Sequence, residues 1–356
     1  MAKKQPIHGL RETPGSFEIR GIVNGIKNKN FYSEKKFSSG SSVRAANFGV
    51  EYAPKLSQYP LVQGFERKEV YFTKKGEETK RIPWAQRLEF AKQNPDWRII
   101  GVNIGLTKGE DGKNISTRLV EYDAAAYLKE NLKDGMSVYV KGTIGYRSFT
   151  TKNGDIKRMI DYNASQISLC NEAIDFGAEN FEAKHSFEQE IVFTEINREE
   201  DGDGKPTGRF IMSGFVVSFN AIEPVSFVMT DEAQAKKIKK NLKPYSSIKC
   251  YGFMETVHST ETVEEVDAWG QPIPKGVGRI NAPTVREMLV AYADPSTVDA
   301  ESYSEEAVMM GIQKLKAQAE VKKNYGDADE TVSVPAADNS GWGDSVGDDS
   351  DMQEDW

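Results

Sequence analysis

The chain has 356 residues, 38% of them hydrophobic and 28% charged, which is room for roughly two domains with ordinary cores. No run approaches the ~18 apolar residues of a membrane span, and Met-Ala-Lys-Lys-Gln at the start has no apolar stretch behind it, so the reading excludes a secretory signal and a membrane partner. Cys170 and Cys250 are too few for a disulfide framework or a usual zinc site, and the expected setting is a reducing cytoplasm. The net charge of −8 hides two opposite halves. Residues 1–170 hold 29 Lys+Arg against 18 Asp+Glu, whereas residues 171–356 hold 17 against 36. Such asymmetry predicts a polyanion-binding front and an acidic tail.

In chain order, residues 1–14 read as a flexible start. Phe17, Ile19 and Val23 then alternate with Glu18 and Arg20 in an opening strand that breaks at Gly21. Residues 43–52 and 98–106 read as second and third strands, separated by an insertion over 53–97. Within it, Tyr71-Phe72-Thr73-Lys74-Lys75-Gly76 reads as one arm of an extra hairpin. Residues 122–132 form a predicted helix stopped at Asp134-Gly135. In the fourth strand, Met136, Val138 and Val140 share one face and Ser137, Tyr139 and Lys141 the other. Asn153-Gly154 marks a hairpin turn, and 156–169 supplies the returning strand. Three strands, a helix and two strands is the element order of the OB-fold, a small barrel that binds oligonucleotides or oligosaccharides. An N-terminal OB-fold is therefore expected over 15–170, followed by a linker over 171–184.

An internal repeat extends the pattern. Residues 125–144 and 235–254 share a helix ending in Asn-Leu-Lys, a turn, a serine, an apolar residue, and glycine four positions later. Residues 187–196 and 209–219 are strand-like and joined by Asp201-Gly202-Asp203-Gly204-Lys205-Pro206, and 225–229 can serve as a third strand. A second OB-like domain is expected over 185–290, its last strand near 277–280. Beyond it come a helical segment over 291–325, with Val308, Ile312 and Leu315 at helical spacing, and a disordered acidic tail over 326–356. The fold class expected is mainly β: two OB-type five-stranded barrels in tandem, a C-terminal helix and that tail.

The helix-to-strand junction Ala126-Tyr127-Leu128-Lys129-Glu130-Asn131-Leu132-Lys133-Asp134-Gly135-Met136-Ser137-Val138-Tyr139-Val140-Lys141-Gly142 resembles the bacterial single-stranded-DNA-binding protein family. The acidic tail with a final aromatic is similar to that family and to the single-stranded-DNA-binding proteins of phages. The resemblance covers only the junction and the style of the tail. The bacterial proteins are shorter, usually carry one OB-fold and end in Pro-Phe, where this chain ends in Asp-Trp, so a phage-type relative acting in the host cytoplasm is favoured. The resemblance implies binding and protection of single-stranded DNA during replication, recombination or repair. It also implies polymerase, helicase or primase partners for the tail.

Unspecific single-strand binding needs cations along the phosphates and flat rings on which bases stack. Lys27, Lys29, Phe31, Tyr32, Lys35, Lys36 and Phe37 form one such cluster after the first strand, with Arg44 on the second strand beside it. Lys74, Lys75, Lys80, Arg81, Trp84 and Arg87 form another in the insertion. Tyr139, Lys141, Tyr146, Arg147, Phe149, Lys152, Lys157 and Arg158 form a third around the last hairpin. In an OB barrel the first and third are expected on adjacent walls of the groove, with Tyr139 the first choice for stacking. Bland readings stand beside these: snorkelling lysines on a solvated face, Phe31 and Phe37 packed under their own loop, and Trp84 with Trp97 as the insertion's small core. In the tail, Trp342, Asp348, Asp349, Asp351, Glu354, Asp355 and Trp356 are candidates for partner binding and for competition with DNA. The plain alternative there is a solubilising appendage.

Histidines are three and scattered, no phosphate-cradling glycine loop is present, and Asp201-Gly202-Asp203-Gly204 lacks the later ligands of a calcium loop. No cofactor, metal or catalytic residue is expected, and the chain reads as a binding protein, not an enzyme. Two other classes stay open: a replisome or recombination scaffold whose barrels contact protein, and a nuclease or annealing factor with an unmarked site.

Overall fold

The computed structural model describes residues 5–38, 40–151, 154, 156–258 and 284–324. Its first half runs β1 (Gly15–Asn24), β2 (Tyr32–Lys36), β3 (Ser42–Asn47), β4 (Gly49–Ala53), β5 (Leu56–Gln58) and β6 (Pro60–Phe65). A small three-stranded sheet follows from β7 (Glu69–Thr73), β8 (Lys80–Pro83) and β9 (Arg98–Ile99), with α1 (Arg87–Gln93) between the last two. The chain returns through β10 (Val102–Lys108), β11 (Asn114–Leu119), α2 (Glu121–Asn131), β12 (Ser137–Thr150) and β13 (Ile156–Leu169). The second half holds β14 (Lys184–Glu200), β15 (Pro206–Val217), β16 (Ile222–Met229), α3 (Glu232–Asn241), β17 (Ser247–His258), β18 (Thr284–Asp299) and α4 (Glu305–Asn324). The molecule is mainly β with a C-terminal helix, as the residue patterns predict.

In the second half the strands close a ring, β14–β15–β16–β18–β17 and back to β14. Within it β16 and β18 are parallel, and α3 enters before β17. The first half repeats the plan. β1 pairs with β4, β3 with β6, β6 runs parallel to β13, and β13 returns through β12 to β1. β3 and β4 act as one bent strand around the buried Phe48. Both rings are compatible with the OB-type barrels expected.

Three boundaries differ from the sequence reading. The third strand is split: β6 and, further along, β10 both lie parallel on β13. Residues 56–65, expected inside the insertion, therefore belong to the main sheet, and the extra hairpin β7–β8 emerges between the two pieces. The apolar run Leu61-Val62 behind Pro60 is too short to read as a strand; its register comes from β3 and β13. The strand closing the second barrel is β18, not residues 277–280, which lie outside the described residues. β18 also occupies the start of the segment expected to be helical, and the helix begins only at Glu305.

The repeated glycine has a physical cause. Gly142 and Gly252 each sit where the strand register shifts. A Cβ on Gly142 would stand 1.9 Å from the Asn163 carbonyl oxygen, and one on Gly252 1.9 Å from that of Leu289. Only glycine lets the backbones come this close.

The halves share one sheet and one core. β1 pairs antiparallel with β14, setting Phe17 opposite Phe187, and both rings are buried. A single apolar cluster runs from Phe17 to Ala293. Across the joint the Tyr52 and His185 rings stack at 4.2 Å, Gln58 Nε2 donates to the Met254 carbonyl at 2.9 Å, and Thr256 N–H donates to Tyr52 Oη at 3.1 Å. α4 lays Val308, Ile312 and Leu315 against Leu10, Val217 and Ile222 of the second barrel.

Candidate nucleic-acid interface

The loop leaving β1 is held at its base, where Asp134 Oδ1 accepts from the Ile26 N–H at 2.9 Å. It then forms β2, which among the described residues is an edge strand paired only with β3. Phe31 points inward and is 5% exposed, so it is a core residue and its assignment as a stacking ring is corrected: it plugs the barrel end beneath the loop. Tyr32 carries the Lys129 ammonium 4.4 Å over its ring and donates to Glu34 at 3.0 Å. Burial, then the Glu34 carboxylate, push its phenol up to about 12. Arg44 lies 4.1 Å over the Tyr122 ring and 3.0 Å from Glu34, holding that carboxyl below its usual range.

At the tip of the β2–β3 hairpin, Phe37 stacks on Phe65 at 6.4 Å and 16° between planes, with the Lys35 ammonium 5.3 Å from the Phe37 centroid. Phe65 ends β6 and is 40% exposed. The cluster reading missed it. The signal that could have found it is Phe65-Glu66-Arg67-Lys68, a ring followed by a basic pair. Lys35 and Lys36 near this tip, and Lys27 and Lys29 in the loop before β2, are all exposed.

The second cluster joins the first. Val70, Phe72, Trp97 and Ile99 form the core of the small sheet together with Val120 and Tyr122 of the barrel. Trp84 meets Tyr122 edge-on at 5.6 Å and carries Arg87 3.9 Å over its ring. Arg87 in turn makes two 2.7 Å hydrogen bonds to Asp123 on α2. Tyr122 Oη lies 2.7 Å from Ser42 Oγ, so one tyrosine links β3, α2 and the added module. Lys80 sits 4.1 Å over Trp97 and Lys74 6.0 Å from the same ring. Lys74 also pairs with Glu77, and Arg81 with Glu69. Lys75 is exposed. From Lys35 to Lys80 this side of the molecule carries cations over rings of which Phe37, Phe65 and Trp84 reach the surface, while Trp97 and Tyr122 are buried.

The third cluster does not join it. β6 runs parallel to β13 from Pro60 opposite Tyr162 and antiparallel to β3 with Phe65 opposite Val43. Phe65 therefore lies toward the Leu169 end of β13 and the hairpin turn toward the Ile156 end. The two arms stand at opposite ends of the strand direction, which corrects the expectation of adjacent walls. Tyr139 faces away from the barrel core, with Lys184 5.2 Å over its ring and that lysine paired with Glu18. It belongs to a polar cluster at the β1–β14 seam. Tyr146 packs on Phe227 of the second barrel, its hydroxyl buried without a partner among the described residues. With its hydroxyl buried and its ring partly buried against the shared core, it is no open stacking ring. Arg147 is held by Asp161 at 2.6 Å. Lys141, Phe149, Lys157 and Arg158 are exposed. Lys152 and the tail candidates Trp342, Asp348, Asp349, Asp351, Glu354, Asp355 and Trp356 lie outside the described residues.

A base can stack on an exposed aromatic face while a neighbouring ammonium meets its phosphate, and neither contact reads sequence. Among the described residues no helix is long and apolar enough to cross a membrane, and no group of three or more His, Cys, Asp or Glu could hold a metal ion.

No curated protein matches the chain. Among solved structures it is similar to the wild-type single-stranded DNA binding protein from Thermus aquaticus, with 10% identity, 80% of this chain and 93% of that one covered, and a TM-score of 0.36. A deletion mutant of the same Thermus aquaticus protein gives 10% identity, 80% and 94% coverage, and a TM-score of 0.37. The model of one family, described only as YorF, matches residues 73–326, more than half of the sequence, and the chain belongs to the YorF family.

Proposed function

We propose that this chain binds single-stranded DNA without sequence preference through its first barrel and the module carried between β6 and β10. The observation that carries the reading is the Phe37–Phe65 stack with Lys35 beside it, on the same half of the chain as Trp84 under Arg87 and the exposed Lys80. Rings supply about 1–3 kcal/mol per stacked base. The lysines supply counterion release, which on single strands gives a slope of log K against log salt of about −0.7 per neutralised phosphate. The role is protection of single strands during replication, recombination or repair. It involves no catalysis, and the acidic segment recruits polymerase, helicase or primase.

The test is fluorescence anisotropy of the full chain on labelled oligo(dT) across a salt series, with duplex DNA as control. The expected result is preference for the single strand, with affinity falling steeply as salt rises. No binding of oligo(dT) at low salt would discard the reading in favour of a protein-binding scaffold.

A further inference from the structure

The second barrel is acidic, with 12 Lys+Arg against 18 Asp+Glu over residues 185–299. Several of its cations are already neutralised. Arg209 lies between Glu199 at 3.1 Å and Glu287 at 2.7 Å, Lys249 sits on Glu188 at 2.8 Å, and Arg198 on Glu232 at 2.7 Å. α3 is the exception. Ala235 and Ile238 face the barrel, followed by the buried Leu242. The outer face presents Lys236, Lys237, Lys239, Lys240 and, just beyond the helix, Lys243, all exposed. Lys236 is paired with Glu232 at 3.0 Å. Lys237, Lys239, Lys240 and Lys243 have no ion pair among the described residues. Spaced three and four apart on two helical turns, these like charges repel one another until an anion covers them.

That anion is not a nucleic-acid strand on the chemistry present. The first-barrel lysines lie on rings: Lys35 on Phe37, Lys129 on Tyr32, Lys80 on Trp97. Among the described residues no α3 lysine does, so the face offers charge without the stacking surface that bases need. A polyanion lacking bases fits better, and this chain carries one. Residues 326–356 hold ten Asp+Glu and no Lys or Arg. Connectivity brings the two together. Tyr245, two residues past Lys243, packs against the apolar cluster that holds Val308 of α4. The twenty residues of α4 rise about 30 Å at 1.5 Å per residue. The residues after Asn324 could reach on the order of 100 Å if fully extended, enough to return along α4 to α3.

We propose that the lysine face of α3 is the resting site of this chain's own acidic segment, residues 326–356. The segment docks in cis at high effective concentration, and the first-barrel surface stays open to its ligand while partners draw the segment off α3. This assignment does not depend on the DNA reading. It gives the acidic segment a different seat from the groove that composition alone suggests.

The experiment is carbodiimide cross-linking of the full chain, read by mass spectrometry, on an equal mixture of light and isotope-heavy protein. At low salt, links are expected between Lys237, Lys239, Lys240 or Lys243 and carboxylates of 338–355, within one isotope type. They should fall at least severalfold at about 0.5 M salt, where the Debye length is near 4 Å, and in the Lys237→Glu/Lys240→Glu variant with unchanged circular dichroism. Saturating oligo(dT) should leave them in place. Links on Lys27, Lys29, Lys35 or Lys36 instead would overturn the proposal, as would mixed light–heavy links or no α3 links at all. Loss of the links on adding oligo(dT) would do the same and would assign α3 to the nucleic-acid path. Oligo(dT) affinity is measured on the same samples, so failure of this proposal is distinguishable from failure of the DNA reading.

Discussion

Phe65 and Phe37 lie 16° from parallel, so each ring spends one face on the other and Phe65, 40% exposed, keeps area for a base. Removing a stacking ring from an unspecific single-strand site costs about 1–3 kcal/mol, or about 5- to 150-fold in affinity. Phe65→Ala is expected to weaken oligo(dT) binding within that range and to leave the melting temperature nearly unchanged. Phe31→Ala should behave oppositely. It empties a packed barrel end at a cost of about 3–5 kcal/mol, so thermal unfolding shifts down while any binding that survives keeps its salt slope. A Phe65→Ala protein that binds at full strength would remove this ring from the site. Phe31 and Phe37 illustrate what the residue string withholds. Both sit in one lysine-rich loop with indistinguishable surroundings in sequence, and the β2–β3 pairing decides which ring goes in. Phe65 carried too weak a signal, since its cations follow it instead of flanking it and its stacking partner is 28 positions away.

At the scale of elements, the legible part was the repeated junction. Asn131-Leu132-Lys133 and Asn241-Leu242-Lys243 end their helices alike. Each leucine is buried, and Gly142 and Gly252 follow at the same distance because each barrel needs a register shift there. Such a constraint is local, so it leaves a local trace. Gly142→Ala would place a methyl 1.9 Å from the Asn163 carbonyl oxygen, on backbone that cannot swing away. A loss of about 3 kcal/mol is expected, measured as a lowered denaturant midpoint, with Gly252→Ala as its counterpart. An unchanged midpoint would mean that the strands yield. The split third strand was illegible for the opposite reason. β6 and β10 become one barrel edge only by lying on β13, about one hundred and about sixty positions away in sequence respectively and fixed by parallel pairing, which no short-range alternation encodes. Tyr122 was likewise hidden: in sequence it opens a helix, and in the fold it ties three elements together.

For the whole molecule, the β1–β14 pairing and the common core make both barrels one folding unit. A single cooperative transition is expected in calorimetry, with calorimetric and van't Hoff enthalpies equal. Two separated transitions would contradict it. Alkaline stability tests the same unit. Burial pushes Tyr303, at the α4 docking surface, and Tyr32 and Tyr139, on the first barrel, each up to about 12. The folded protein thus keeps phenolic protons that the unfolded chain releases near pH 10. Their contribution to stability is complete below pH 10 and lost as pH rises through 12. The urea midpoint should fall across that window, and a flat profile there would count against the burial of these hydroxyls. Much of the barrel plan was readable because each half repeats it. How the halves join was not, since Phe17 meets Phe187 through strand edges that look alike in any barrel.

That seam has a consequence for how such a protein can change over generations. When two identical subunits meet along a strand, every mutation arrives twice, and a loop that suits one copy is forced on the other. Here the mates are encoded separately, and the residues that meet across the joint, Phe17 with Phe187, Tyr52 with His185 and Gln58 with Met254 among them, must keep fitting. Everything away from the seam is free to drift apart. The loop after β1 leads into a lysine-bearing hairpin, whereas the loop after β14 is the acidic turn Asp201-Gly202-Asp203-Gly204. A plan repeated within one chain can in this way carry different loops on its two copies.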